Sequence, residues 1–367
     1  MKSLLIFILA IGTHSLCLGQ TPTADSKKAA LSLARLAVKI MDDGDPDKAI
    51  ILLDSAKKMD PENYLYDYEI GFAYDIKQDY KTAAEYFQKT LKYPNANDQC
   101  YQMLGNAYDM GGEKEKALAA YADGLKKFPL SGPLHLETGV IYYNEEKYTE
   151  AVKWWEKGIA ANPVYPSNYF KLASLFAQTD HRIWAIFYGE IFMTLERGSK
   201  RSGEMSKILF DTYKESITFI SDSSAKVDFT TSTLSMLPGK DFKMPFRMVY
   251  GMDFLVGLSA KMLAKEGKPD KQISIAYLHA ARQTFVEWWF NQKRNKDYPN
   301  PLIDFHKELK ENNHMEAYNY WLLRMGDEKE FKAWYEANTE KFLAFAEWFK
   351  KRGDIVSKEK FFIRPED

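Results

Sequence analysis

Histidines, a lone thiol, a serine–lysine pair and abundant carboxylates are the side chains from which a metal or catalytic site could be built here. Beyond His14 the histidines are His135, His181, His279, His306 and His314. Zinc needs two on one helix face, as in HExxH, or a Cys at short spacing to complete a tetrahedral set, and no such pattern is present. His306 and His314 stand apart across an expected helix break. These residues therefore read as scattered helix-surface histidines, with no metal and no cofactor. Ser55-Ala56-Lys57-Lys58 fits the loose S-x-x-K spacing of serine acylases but lacks its companion motifs, and reads as a solvated helix face. GxGxxG, GxxxxGK[ST] and GxSxG are absent, which removes support for nucleotide binding and for the common serine hydrolase elbow. Carboxylates are too plentiful for spacing to nominate a glycosidase pair. Trp288–Trp289 could form a sugar platform, but they continue the apolar run from Ala280 and Phe285 and read as core. The chain is expected not to be an enzyme.

The elements that carry these residues are set by composition and period. The chain has 367 residues, of which 46% are hydrophobic and 15% aromatic, enough to bury a large core. Lys plus Arg is 50 and Asp plus Glu is 51, so there is no broad basic field for nucleic acid. Residues 1–19 read as a signal peptide: Lys2, an apolar stretch from Leu4 to Gly12, then a cut after Gly19. Lipidation at Cys17 is disfavoured by His14 and Leu16. That leaves Cys100 as a lone, half-buried structural thiol. No later segment is apolar enough to span a bilayer. Export, with the periplasm as the expected compartment, follows from the leader.

Residues 20–29 form a linker, after which a period of 34 residues begins. Ala37, Gly71, Gly105, Gly139 and Ala173 hold it without insertion, and Ala49, Ala83, Ala117, Ala151 and Ala185 follow twelve residues later. Bulky partners recur at Ile40, Tyr74, Tyr108, Tyr142 and Phe176, and at Leu53, Phe87, Tyr121 and Trp155. Small residues let two helices approach, and large ones fill the space beside them. Pro61, Pro94, Pro129 and Pro163 end the units. Gly44 and Gly111–Gly112 mark turns, and Asn63 reads as an N-cap.

The segments "YEIGFAY…YKTAAEYF", "YQMLGNAY…KEKALAAYADGLKKFP" and "LETGVIYY…YTEAVKWWEKGIAANP" resemble the tetratricopeptide repeat family. The resemblance covers five units, 30–63, 64–97, 98–131, 132–165 and 166–199. It implies an all-α superhelix of tandem helix pairs. The fifth unit departs most, with Gly189 in place of the large residue and Arg197 in place of the proline. Residues 200–367 read as a helical C-terminal region: a linker-like stretch at Gly198–Gly203, then helices at 204–220, 245–266, 271–295, 301–312, 313–325, 327–337 and 339–352. A strand or ordered loop is expected near 225–235, and the charged segment from Gly353 is expected to fray.

The family's groove-facing positions, carried onto this sequence, give Tyr68, Phe72, Asp75, Gln102, Asn106, Asp109, Met110, Leu136, Val140, Tyr143 and Phe170. An apolar, aromatic face with carboxylates suits a peptide or helix carrying Lys or Arg. The carboxylate clamp of the family's chaperone-binding members is absent apart from one Asn, since the corresponding positions hold Ala34, Val38, Tyr68, Phe72, Gln102 and Asn106. The resulting expectation is a scaffold for a protein or peptide partner. The alternatives are a glycan-binding accessory protein, an enzyme sited in the C-terminal half, or a groove filled by the chain's own C-terminal half.

Overall fold

A computed structural model describes residues 22–221, 224–230, 244–263 and 272–365. The leader with its cut after Gly19, Cys17, and residues 231–235 of the expected strand or loop lie outside the described residues. The fold is all-α, with one two-stranded hairpin among the described residues. It divides into two compact units, up to Ala96 and from Asn97 onward.

The first unit holds α1 (Ala24–Asp42), α2 (Pro46–Met59), α3 (Leu65–Ile76) and α4 (Tyr80–Thr90). Each start is chemically marked. Thr23, Asp45 and Asp79 accept hydrogen bonds from backbone N–H groups in the first turns of α1, α2 and α4. Asn63 acts one residue outside the expected cap position, accepting from the Leu65 N–H at 3.1 Å. α1 packs on α2 and α3 on α4. Ala37, Ala49, Leu53, Ile70 and Ala73 are fully buried between them. Asp67, 1% exposed, receives Lys57 Nζ at 2.5 Å and the Tyr93 hydroxyl at 2.8 Å.

The second unit continues the pairs: α5 (Asp98–Met110) with α6 (Lys114–Lys127), α7 (Gly132–Asn144) with α8 (Tyr148–Ala161), and α9 (Pro166–Phe176) with α10 (Arg182–Leu195). In α5 and α7 the glycine of the first helix marks the closest approach. A Cβ at Gly105 would sit 2.0 Å from Tyr121 Cε1, and one at Gly139 would sit 2.3 Å from Trp155 Nε1. Gly112 takes φ +78° in the turn after α5, a conformation that L side chains resist. Cys100 is fully buried on α5, not half-buried.

The fifth pair departs from the pattern because its second helix is covered on both sides. Every residue from Ile183 to Thr194 is buried. α11 (Lys200–Ser216) lies against α10, and a Cβ at Gly189 would meet Met205 Sδ at 2.8 Å and Leu209 Cδ2 at 3.0 Å. Installing the large residue found in the other units, as Gly189→Tyr, is expected to destabilise the chain by at least about 1–3 kcal/mol, because α11 fills that space. Urea unfolding followed by tryptophan fluorescence reads the change.

Several expectations are corrected in this region. Gly198–Gly203 is not a linker: Ser199 caps α11, accepting from the Ser202 N–H, and the helix starts at Lys200. The helix expected to reach 220 stops at Ser216, because Ile217-Thr218-Phe219-Ile220 is a β-branched and aromatic run. It forms β1 (Ile217–Ser221), paired antiparallel with β2 (Ser224–Val227). Phe229 follows, buried, and its carbonyl accepts the Ile183 N–H at 3.0 Å.

The remaining helices are α12 (Phe246–Leu263), α13 (Ile275–Asn291), α14 (Arg294–Asp297), α15 (Pro301–Glu311), α16 (Met315–Leu323), α17 (Glu328–Ala337) and α18 (Thr339–Lys351). The segment after α18 does not fray. Ile355, Val356 and Phe362 are 5%, 2% and 6% exposed, so its apolar residues are core despite the surrounding charge.

Candidate functional site

In the first unit, Tyr68 meets Phe87 edge to face at 5.6 Å, and Phe72 is half-buried. Burial raises the carboxyl of Asp75.

In the second unit, α7 touches both α5 and α9, so the three first helices present neighbouring residues. Gln102 Nε2 donates to Glu137 Oε1 at 2.9 Å, linking α5 to α7. Asn106 Oδ1 accepts the Tyr121 hydroxyl at 2.6 Å. Asp109 is half-buried, and burial raises its carboxyl. Glu137 is raised by burial first and by Asp109 as a like charge; Gln102 and Lys171 pull the other way. Among the described residues, neither carboxylate forms an ion pair. Met110 is 61% exposed at the end of α5, whereas Leu136 is only 8% exposed and offers its carbonyl to Trp155 Nε1. Val140 is half-buried. Phe170 packs on Phe192, with the Arg201 guanidinium 5.4 Å from its ring.

Tyr143 stands between Tyr148 and Trp155, at ring separations of 5.5 and 5.8 Å. It opens onto a pocket of about 430 Å³ that Val152, Phe176, Gln178, His181 and Arg364 also line. Arg364 belongs to the segment expected to fray, so the C-terminal half does reach this end of the face. Glu137, Lys171, Arg201 and Arg364 carry much of the local charge and were not nominated from sequence. Glu137 and Lys171 lie one residue from groove positions, and Arg364 was set aside with its charged neighbours.

A second polar constellation is sealed inside the second unit. Glu190, on α10, is fully buried. Arg282, on α13, reaches it through Nη1 at 3.0 Å and Nη2 at 2.5 Å, and donates from Nη1 to the Tyr213 hydroxyl at 2.6 Å and from Nε to Asn319 Oδ1 at 2.7 Å. His306 Nε2 lies 2.6 Å from Glu190 Oε1. Burial opposes the Glu190 charge, yet Arg282 and His306 outweigh it and hold the carboxyl at about 2. Burial lowers His306, and its Nε2 also lies 3.1 Å from Arg282 Nη2. His279 accepts from Asn319 Nδ2 at 3.1 Å and is brought down to about 4, chiefly by burial. The expectation of surface histidines is thus corrected: His306 and His135 are buried at 5% and 9% exposure. Trp289 is fully buried, as its apolar run implied, while half-buried Trp288 donates to Asp253 at 3.2 Å. Glu190 and Arg282 show almost no surface, so the constellation orders the core and touches no solvent-borne ligand in this conformation. One sequence signal could have found it: Glu190 is the single charge in the run from Ile183 to Leu195.

Paired helices at a 34-residue repeat, with a glycine seated against an aromatic ring, define the class. Residues 103–166 match the model of the tetratricopeptide repeat family. It is 29% identical over 119 residues to the general transcriptional corepressor trfA of Dictyostelium discoideum, covering 30% of this chain. The chain spans only 9% of that relative's length. Solved structures similar to it include pilF of Pseudomonas aeruginosa (16% identity, 52% of this chain and 86% of that one, TM-score 0.42). A thermophilic tetratricopeptide-repeat protein of Thermus thermophilus is similar at 20% identity, over 49% of this chain and 98% of that one, with TM-score 0.41. No described helix is long and apolar enough to cross a membrane.

Proposed function

We propose that this chain is a non-catalytic interaction scaffold whose repeats, residues 30–199, receive a segment of a partner protein. In the second unit the receiving surface is the face of α5, α7 and α9, with Gln102, Asn106, Asp109, Glu137, Val140, Tyr143 and Phe170; Tyr68, Phe72 and Asp75 offer similar chemistry in the first. The observation that carries the reading is the pair Asp109 and Glu137, half-buried on adjacent helices, raised by burial, and without an ion pair. A partner's Lys or Arg set between them restores the favourable state of both carboxylates, and Tyr143 and Phe170 cover its apolar stem. The leader at residues 1–19 supports an exported, periplasmic setting in a cell envelope.

The test is crosslinking of the tagged chain in its own host, against a variant carrying Asp109→Asn and Glu137→Gln. Recovery of the specific partner is expected to fall at least about tenfold, the equivalent of one lost charge-assisted contact. Undiminished recovery would move the site elsewhere. Because both carboxyls are raised in the free chain, a bound cation lowers them and binding releases protons. Affinity for a basic segment therefore weakens on acidification, starting above the ordinary carboxylate range, and calorimetry in two buffers reads this.

A further inference from the structure

We infer that the seat occupied by Phe362 and Arg364 is a peptide-binding site filled in cis, and that its ligand in trans is a partner segment presenting an aromatic residue two places before an arginine. This seat adjoins the Tyr143 end of the α5–α7–α9 face through the pocket that Arg364 shares with it, but the inference does not rest on that face binding a partner.

Residues 361–365 belong to no helix or strand. They lie on the second unit with Phe362 buried, Phe361, Ile363 and Arg364 half-buried, and Pro365 exposed. The Phe362 ring enters a box of Trp184, Phe187, Tyr188 and Phe246, with centroid separations of 6.2, 5.1, 5.8 and 6.3 Å. Two places on, Arg364 is read at three points. Its backbone N–H donates to the Tyr188 hydroxyl at 3.0 Å, its Nε donates to Glu156 Oε1 at 2.7 Å, and its guanidinium lies 5.5 Å from the Phe176 ring. Tyr188 in turn donates to Glu156 Oε1 at 2.7 Å, so one hydroxyl fixes both the carboxylate and the peptide backbone.

The residues that receive the segment stand on elements far from it in sequence. Tyr188, Phe187 and Trp184 belong to fully buried α10, and Glu156 to α8. Open space lies beside the segment as well. Arg364 walls the pocket of about 430 Å³ described above, while Phe361, Phe362, Ile363 and Pro365 wall another of about 500 Å³. An aromatic box beside an acidic clamp specifies aromatic–x–arginine. Lysine lacks the planar group that bonds Glu156 while lying over Phe176.

The test uses the full chain carrying Phe362→Ala and Arg364→Ala, titrated by fluorescence anisotropy with a labelled peptide of residues 357–365. The released variant is expected to bind at least tenfold more tightly than the unaltered chain, in which the tethered segment competes at an effective concentration in the millimolar range. Peptides carrying Phe362→Ala or Arg364→Lys are expected to lose at least tenfold, and Glu156→Gln in the chain to erase the preference for arginine. A folded variant that shows no saturable binding at millimolar peptide overturns the inference. So does peptide-sensitive dimerisation of the unaltered chain in light scattering, which would make a second copy the occupant. If the variant does not fold, hydrogen exchange on the unaltered chain decides. Amides of residues 361–364 exchanging at least a hundredfold faster than those of α10 support a displaceable segment. Equal rates make it a permanent part of the core and overturn the proposal.

Discussion

Arg282→Met is expected to cost about 3–5 kcal/mol of stability, the range found when one partner of a buried ion pair is removed. In urea unfolding this is a large shift of midpoint, and on heating a fall of roughly 10 °C. The cause is the group left behind. Glu190 is fully enclosed, and Arg282 supplies two of the hydrogen bonds that make its charge tolerable. Tyr213 and Asn319 lose the same donor, and the Tyr318 phenol is buried beside the carboxylate without a well-formed bond of its own. Replacing the whole constellation, as Glu190→Leu with Arg282→Met and His306→Leu, is expected to recover most of the loss, because the uncompensated charge is gone.

The pH dependence has a definite sign. Glu190 is held at about 2, below the usual 4.5, so its contribution is complete above 4.5 and disappears as pH falls toward 2. His279 is held at about 4 against the usual 6.5. The unfolded chain therefore takes up its proton first, and stability declines as pH falls from 6.5 to 4. In Arg282→Met the isolated carboxyl is raised by burial and neutralises easily. The deficit of that variant is thus largest near neutral pH and shrinks on acidification. A deficit independent of pH would mean that lost packing, and not stranded charge, is responsible.

The helix pairs were legible because the information is local and repeated: a small residue at one place, a large one sixteen later, a proline at the close. What escaped was non-local. Glu190, Arg282, His306 and Asn319 stand on four helices, and each alone resembles an ordinary helix residue. Only the isolation of Glu190 in an apolar helix hinted that a partner had to exist. The first strand of the β-hairpin escaped because Ile217-Thr218-Phe219-Ile220 joins an amphipathic helix without a glycine or proline to announce the change. The order of residues 353–365 escaped because Lys358, Glu359, Lys360 and Arg364 mask Phe361-Phe362-Ile363, an apolar triplet that needs a covered site. On the α5–α7–α9 face, the family positions include Gln102, Asn106 and Asp109 but not Glu137, which becomes visible only through the hydrogen bond it accepts from Gln102 on the neighbouring helix.

Trp155→Ala is expected to cost about 3–5 kcal/mol, as removal of a large buried aromatic does. The side chain is fully buried and donates to the Leu136 carbonyl at 3.1 Å. Truncation therefore leaves both a void and an acceptor without its partner inside the fourth repeat. The same contact makes the sign of a second substitution depend on the first. In the unaltered chain a Cβ on Gly139 would lie 2.3 Å from Trp155 Nε1 and 2.5 Å from Cδ1, so Gly139→Ala forces the indole off its rotamer and destabilises by about 1–3 kcal/mol. Once Trp155 is alanine, that Cβ enters empty space. Gly139→Ala then becomes neutral or stabilising by up to about 1 kcal/mol, through the better helix propensity of alanine. A double-mutant cycle in urea should report a coupling of about 1–3 kcal/mol. Additive effects would mean that α7 and α8 separate to admit the methyl group, and that the small residue at the repeat's closest approach does not set the spacing of the pair.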